Sequence, residues 1–223
     1  MENILDLNDA DDQSGLTQLS ARFNDTDGGG MFEVTAQRDL RPLLNAFQES
    51  NWGSFNWFPL KDGPETWLVS VNRLPQPQAT RQVREFMTFD HRRCDDLYAQ
   101  SENAANGGDQ ATAIEAYNRF ELGMIHHFRL EEEGFFPAFE RTTGMTQGPT
   151  MVMRMEHEQM RGIMKQMRQA ADNGDMKALV RGGGTLLVLM QQHNLKEEQM
   201  LYAMGDMHLG QESDNLLKEM QRM

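Results

Sequence analysis

The sequence predicts a two-domain α+β chain, a small N-terminal α/β sandwich followed by an up-down-up-down four-helix bundle. Three observations carry this. Strand-like and helical runs alternate only as far as residue 73, and the stretch Leu74-Pro75-Gln76-Pro77-Gln78, with two prolines and no large aromatic, reads as a linker. Beyond it, strand signals cease and four long helical blocks follow, joined by short polar loops. Within those blocks one histidine-glutamate spacing occurs twice. The expected division is residues 1–73 for the small domain, 74–79 for the linker, 80–206 for the bundle and 207–223 for a C-terminal tail or short helix.

In the first part, Ile4 to Leu7 reads as a strand and Leu16 to Phe23 as helical in period. Met31 to Thr35 reads as a second strand and Leu43 to Phe47 as a second helix, opened by Arg41-Pro42 with proline in a tolerated first-turn position. Ser54 to Leu60 and Thr66 to Asn72 form a hairpin pattern around Lys61-Asp62-Gly63-Pro64. Trp52, Trp57 and Trp67 are expected in this domain's core. The helical blocks lie near 80–102, 110–140, 150–173 and 176–206. The run Gly182-Gly183-Gly184 costs roughly 1 kcal/mol per glycine relative to alanine inside a helix. The fourth helix therefore starts or bends there, or a neighbouring backbone comes very close. The 18 methionines, mostly in the second half, suit irregular space between helices.

Composition bounds the function classes. The formal net charge of -13, with acidic residues spread along the chain, argues against nucleic acid or an anionic membrane as partner. The start has no basic or apolar leader pattern, and no run of 18 apolar residues occurs, so neither signal peptide nor transmembrane span is expected. One cysteine, Cys94, excludes an internal disulfide, and a cytoplasmic location is the default expectation. Glycine-rich phosphate loop, nucleophile elbow and basic patch are all missing from the sequence.

The repeated spacing is the most informative feature. His91 is followed by His127 and Glu131, and His157 by His193 and Glu197, with gaps of 36 and 40 residues both times. This reads as two copies of one helical hairpin. His127 and Glu131 lie one turn apart on one face, as do His193 and Glu197. Phe120, Met124 and Phe135 accompany the first pair, while Leu186, Met190, Leu201 and Met204 accompany the second. Met87 and Tyr98 flank His91, and Met153, Met160 and Met164 flank His157. All six polar groups thus face inward, where an unpartnered carboxylate would cost several kcal/mol of lost hydration. Metal ions resolve that cost. Imidazole and carboxylate donors suit a pair of first-row ions, iron or manganese over structural zinc, with the glutamates bridging and two imidazoles completing each ion. That count leaves open positions for a small ligand. His126 is turned about 100° from His127 and is left out. His208 falls past the last helical block.

Secondary candidates are Cys94, Tyr202, Glu132 and Glu198. Cys94, three residues after His91, could tune or protect the metals, although a small buried cysteine is the plainer reading. Tyr202 could donate a hydrogen bond near the site or supply an electron, with packing at the bundle end as the plainer role. Glu132 and Glu198 could support the ligands or form a proton path, against a solvated helix face.

The strings Asp90-His91-Arg92-Arg93, His127 through Pro137, Glu156-His157 and His193 through Tyr202 resemble the hemerythrin-like family of cation-binding four-helix bundles, over about residues 80 to 206. The resemblance implies a non-haem di-iron centre with His91, His127, His157 and His193 as terminal ligands and Glu131 and Glu197 as bridges, manganese or zinc being possible substitutes. Oxygen-carrying hemerythrins have a fifth histidine one turn from the one on helix three, where this chain has Met153 and Arg161. Their last carboxylate is an aspartate in HxxxxD, whereas here it is Glu197 in HxxxE. The site is more similar to that of iron-sulfur-cluster repair di-iron proteins and related bacterial proteins. This implies binding and reduction of NO, O2 or peroxide with an unidentified electron donor, in stress response or cluster repair. The alternative is an O2 or NO sensor, or an O2 or iron store, without turnover. Arg38-Asp39-Leu40-Arg41-Pro42-Leu43 and Gly63 through Val69 are similar to a small domain often fused ahead of such bundles and related in fold to bacterial sulfur carriers. It lacks the cysteine a sulfur carrier needs, which leaves a docking or regulatory role.

Overall fold

The computed structural model describes residues 3–223. It resolves into two compact units, Met1–Arg81 with Gln221–Met223, and Gln82–Met220. The first two residues of the expected small domain lie outside the described residues.

The N-terminal unit runs β1 (Ile4–Asp6), α1 (Asp12–Asp25), β2 (Met31–Ala36), α2 (Arg41–Asn51), β3 (Phe55–Asp62) and β4 (Trp67–Arg73). The sheet order is β1-β2-β4-β3, with β1 parallel to β2 and the other pairs antiparallel. Alternation along β2 buries Phe32, Val34 and Ala36 on one face. Against them α1 and α2 contribute Leu19, Phe23, Leu43, Leu44 and Phe47. Phe23, Phe47 and Phe55 meet edge to face at centroid separations of 5.0–5.9 Å. Of the three tryptophans, Trp57 is in the core and Trp67 packs against it. Trp52, in the turn after α2, is only half-buried and carries the Arg81 guanidinium 5.2 Å from its ring, which corrects its assignment to the core. The stretch after β4 is tied down: Leu74 N–H donates to the Ser54 carbonyl and Gln78 N–H to that of Gly53. Gly53 permits this, because its φ is +76° and a Cβ there would lie 2.1 Å from the Gln78 carbonyl oxygen.

The second unit contains α3 (Val83–Asn106), α4 (Gln110–Arg129), α5 (Phe136–Thr143), α6 (Pro149–Asp172), α7 (Met176–Lys196), α8 (Tyr202–Leu209) and α9 (Glu212–Met220). Helix α4 passes into α5 through a π turn, Leu130–Phe135, and α7 into α8 through another, Glu197–Leu201. Helix α3 packs on α4, α4 on α6, α6 on α7 and α7 on α3, closing a four-helix bundle. The hairpins α3–α4 and α6–α7 are built alike. Each turns on a left-handed glycine, Gly108 or Gly174, followed by an aspartate, Asp109 or Asp175, whose side chain caps the next helix at the N–H of Thr112 or Ala178.

Helix α7 starts at Met176 and runs on through the glycine triplet. What comes close is a side chain and not a backbone: a Cβ on Gly183 would sit 1.5 Å from Tyr98 Oη, and one on Gly182 2.6 Å from Met167 Cγ. The last block also extends further than its periodicity suggests. His208 lies within α8 and is exposed, and α9 buries Leu216, Leu217 and Met220. Asp206 accepts the N–H groups of Val83 and Arg84 at 2.8 and 3.2 Å and so caps α3. Met204 is half-buried, not part of the core as expected. Among the described residues no helix is long and apolar enough to cross a membrane.

Candidate metal centre

Helices α3, α4, α6 and α7 each bring one histidine to the same level of the bundle, and the two π turns bring the glutamates. His91, His127, His157 and His193 are at most 4% exposed, and Glu131 and Glu197 are fully buried. The donor atoms fall into two groups, Glu131, His157, His193 and Glu197 in one and His91, His127 and Glu197 in the other, all within 4.8 Å of one another. Glu197 reaches both: its Oε1 is 3.2 Å from His193 Nε2 and its Oε2 3.3 Å from His91 Nε2. Glu131 Oε2 is 3.3 Å from His127 Nε2 and 3.1 Å from His157 Nε2.

Several of these atoms face each other without hydrogen-bond alignment. His127 Nε2, Glu131 Oε2 and Glu197 Oε1 have no hydrogen-bond partner, and His157 Nε2 and His193 Nε2 are 3.2 Å apart. Buried polar atoms are ordinarily satisfied, so orphans at one point mark a place for a ligand. Carboxylate and imidazole donors converging there fit a pair of divalent first-row ions.

The outward nitrogens are satisfied in a closed circuit. Asp90 on α3 meets His127 Nδ1 at 2.9 Å, Glu132 meets His157 Nδ1 at 2.6 Å, Glu156 on α6 meets His193 Nδ1 at 2.8 Å, and Glu198 meets His91 Nδ1 at 2.7 Å. Each helix thus holds the histidine of the next. A carboxylate accepting from Nδ1–H fixes the tautomer that leaves Nε2 free to bind a metal. Glu132 and Glu198 lie on these histidines and not on a purely solvated face. Sequence reading did not give Asp90 and Glu156 a role. The signal that finds them is the offset of 66 residues that relates 91 to 157, 127 to 193 and 131 to 197, because it also relates 90 to 156 and 132 to 198.

Electrostatics follow from this packing. Burial alone would depress the imidazole pKa values, but the surrounding carboxylates outweigh it and raise all four, His127 most of all through Glu131 and Asp90. Burial opposes the charge on Glu131, yet His127 and His157 hold its carboxyl well below the usual range. Glu132 is held down to about 2 against burial by His157 and Arg161.

Tyr202 belongs to the site and not to bundle-end packing alone. Its hydroxyl donates to Glu131 Oε1 at 2.7 Å and lies 3.0 Å from Glu197 Oε2 and 3.3 Å from His91 Nε2. The residue at the matching place of the other hairpin is Phe136, stacked on His157 at 5.8 Å. Cys94 lies outside both donor groups, in the apolar core with Leu97, Phe120 and Met124, and burial pushes its thiol up to about 11. His126 is half-buried and also outside them, its pKa pushed down by burial to about 4.

The family model of the hemerythrin HHE cation binding domain matches residues 82–205 of the chain. No curated protein and no solved structure matches it.

Proposed function

Since the chain belongs to the hemerythrin HHE cation-binding domain family, we propose that it is a non-haem di-iron protein that binds NO, O2 or peroxide and reduces it with electrons from an external donor, in nitrosative or oxidative stress. The observation that supports this most strongly is the convergence of four Nε2 atoms and two carboxylates, several of them orphaned, inside an apolar bundle. In this reading His157 and His193 would hold one ion and His91 and His127 the other, with Glu131 and Glu197 as ligands available to both. Iron bound there would supply two redox centres and open coordination positions.

The chain's own groups do the rest. The circuit of Asp90, Glu132, Glu156 and Glu198 orients the imidazoles. Phe128 and Phe136, with centroids 4.2 and 5.8 Å from His157, exclude water from that side. Reduction of peroxide to water, or of two NO to N2O, consumes two protons and two electrons. Tyr202 Oη is the proton-bearing group at the centre, held between Glu131 and Glu197.

The test uses anaerobically prepared protein loaded with Fe(II) and given NO or peroxide repeatedly with excess reductant. Consumption over many cycles is the expected result. One irreversible oxidation with no further consumption would end the reductase reading, and a long-lived reversible O2 adduct would replace it with carriage or sensing.

A further inference from the structure

The 66-residue offset relates the ligands and their outer carboxylates, but the groups around these differ between the hairpins. Three of the four outer carboxylates are pinned by a cation. Arg93 Nε lies 2.7 Å from Asp90, Lys196 pairs with Glu156, and Arg161 grips Glu132 at 2.8 and 3.1 Å. Among the described residues the fourth, Glu198, forms an ion pair with His91 alone, while Arg92 and Arg84 act on it only from a greater distance. Where the offset calls for the counterpart of Arg161, the chain has Asp95. Asp95 is half-buried with Oδ1 unpartnered. Asp95 thus puts a carboxylate where the other hairpin has a guanidinium, and it acts on Glu198 as a like charge.

The second difference is Tyr202 in place of Phe136. The tyrosine hydroxyl covers Glu131 Oε1 and Glu197 Oε2, the latter being the oxygen that faces His91. Of the oxygens left without partners, Glu197 Oε1 faces His193 at 3.2 Å, and Glu131 Oε2 lies between His157 at 3.1 Å and the equally unpartnered His127 Nε2 at 3.3 Å. The His91 side thus has a hydroxyl on the two carboxylates in addition to its imidazoles, and the His157 side, with Phe136 at the matching place, has imidazoles alone.

Resting on the di-metal reading above, we propose that the two positions are unequal by construction: the ion held by His157 and His193 is the resident one, and the ion held by His91 and His127 is exchangeable. The outer partner of a metal-bound histidine is ordinarily worth about 10- to 100-fold in metal affinity, and a Glu198 without the direct cation pair of its three counterparts forfeits part of that at His91. Tyr202 adds to the effect by stabilising the vacated state. Exchange at this position is what release of an iron ion requires.

The experiment loads the full chain with two Co(II) ions and follows their removal by excess chelator from the visible spectrum. Two phases of one ion each are expected, separated by on the order of tenfold or more in rate. Anomalous diffraction from crystals of half-depleted protein should place the remaining ion between His157 and His193. Asp95→Arg, or the nearly isosteric Asp95→Asn, should slow the fast phase, and Arg161→Asp should accelerate the slow one. Tyr202→Phe should also slow the fast phase. Removal of both ions in one phase, or a remaining ion between His91 and His127, would overturn the proposal and leave the di-metal reading standing. Failure of the chain to take up two ions would overturn both.

Discussion

At the residue scale, the site depends on carboxylates doing two different jobs. Glu131 and Glu197 are shared between both histidine pairs, so Glu131→Ala or Glu197→Ala should remove bound metal in pairs, read as ions per chain by elemental analysis. Asp90→Asn or Glu156→Gln should keep both ions at high metal concentration but weaken binding about 10- to 100-fold, measured by competition with a chromophoric chelator. The histidine shifts fix the pH behaviour. In the folded, metal-free chain their pKa values lie above the ordinary imidazole range, so this stabilisation is complete below about pH 6.5 and is lost as pH rises through the raised values. A metal must displace those same protons. The gap in Tm between loaded and metal-free protein should therefore widen as pH rises above about 6.5; a gap that narrows would contradict protonated imidazoles in the metal-free centre. The inward groups were legible in the sequence because six of them repeat in register. Asp90 and Glu156 were not, because each serves a histidine on a different helix from its neighbour in sequence.

At the element scale, the helices were legible from their apolar period, and the strands from alternation bounded by turn residues. The two π turns were not. The spacing of His127 to Glu131 and His193 to Glu197 is the same in either geometry, so nothing in it announces a wider turn. The consequence falls on Tyr202. In an α-helix a residue five positions on is rotated about 140° away, which points Tyr202 off the site. The π turn, closed by the Tyr202 N–H on the Glu197 carbonyl, brings it back above that glutamate. The triplet in α7 gives a sharp test of packing. Gly183→Ala drives a methyl into the Tyr98 hydroxyl and should cost about 1–3 kcal/mol, read from denaturant unfolding. Gly184→Ala meets nothing within 4 Å and should be neutral or stabilising by up to about 1 kcal/mol. Equal effects at the two positions would contradict the Tyr98 contact.

At the scale of the molecule, the bundle is a hairpin used twice, from the capping aspartates Asp109 and Asp175 through the ligands to the π turns. That repetition made fold and site readable together. The N-terminal unit carries its own aromatic core and no cysteine, and its sequence shows the fold more clearly than any task. The central claim is that His91, His127, Glu131, His157, His193 and Glu197 together hold two ions. Elemental analysis of anaerobically Fe(II)-loaded protein, beside Glu131→Ala and Glu197→Ala prepared identically, tests it most directly. Two irons per wild-type chain, with both lost in each variant, is the predicted result. A wild-type chain that binds no more than one iron, or a variant that keeps two, would contradict it.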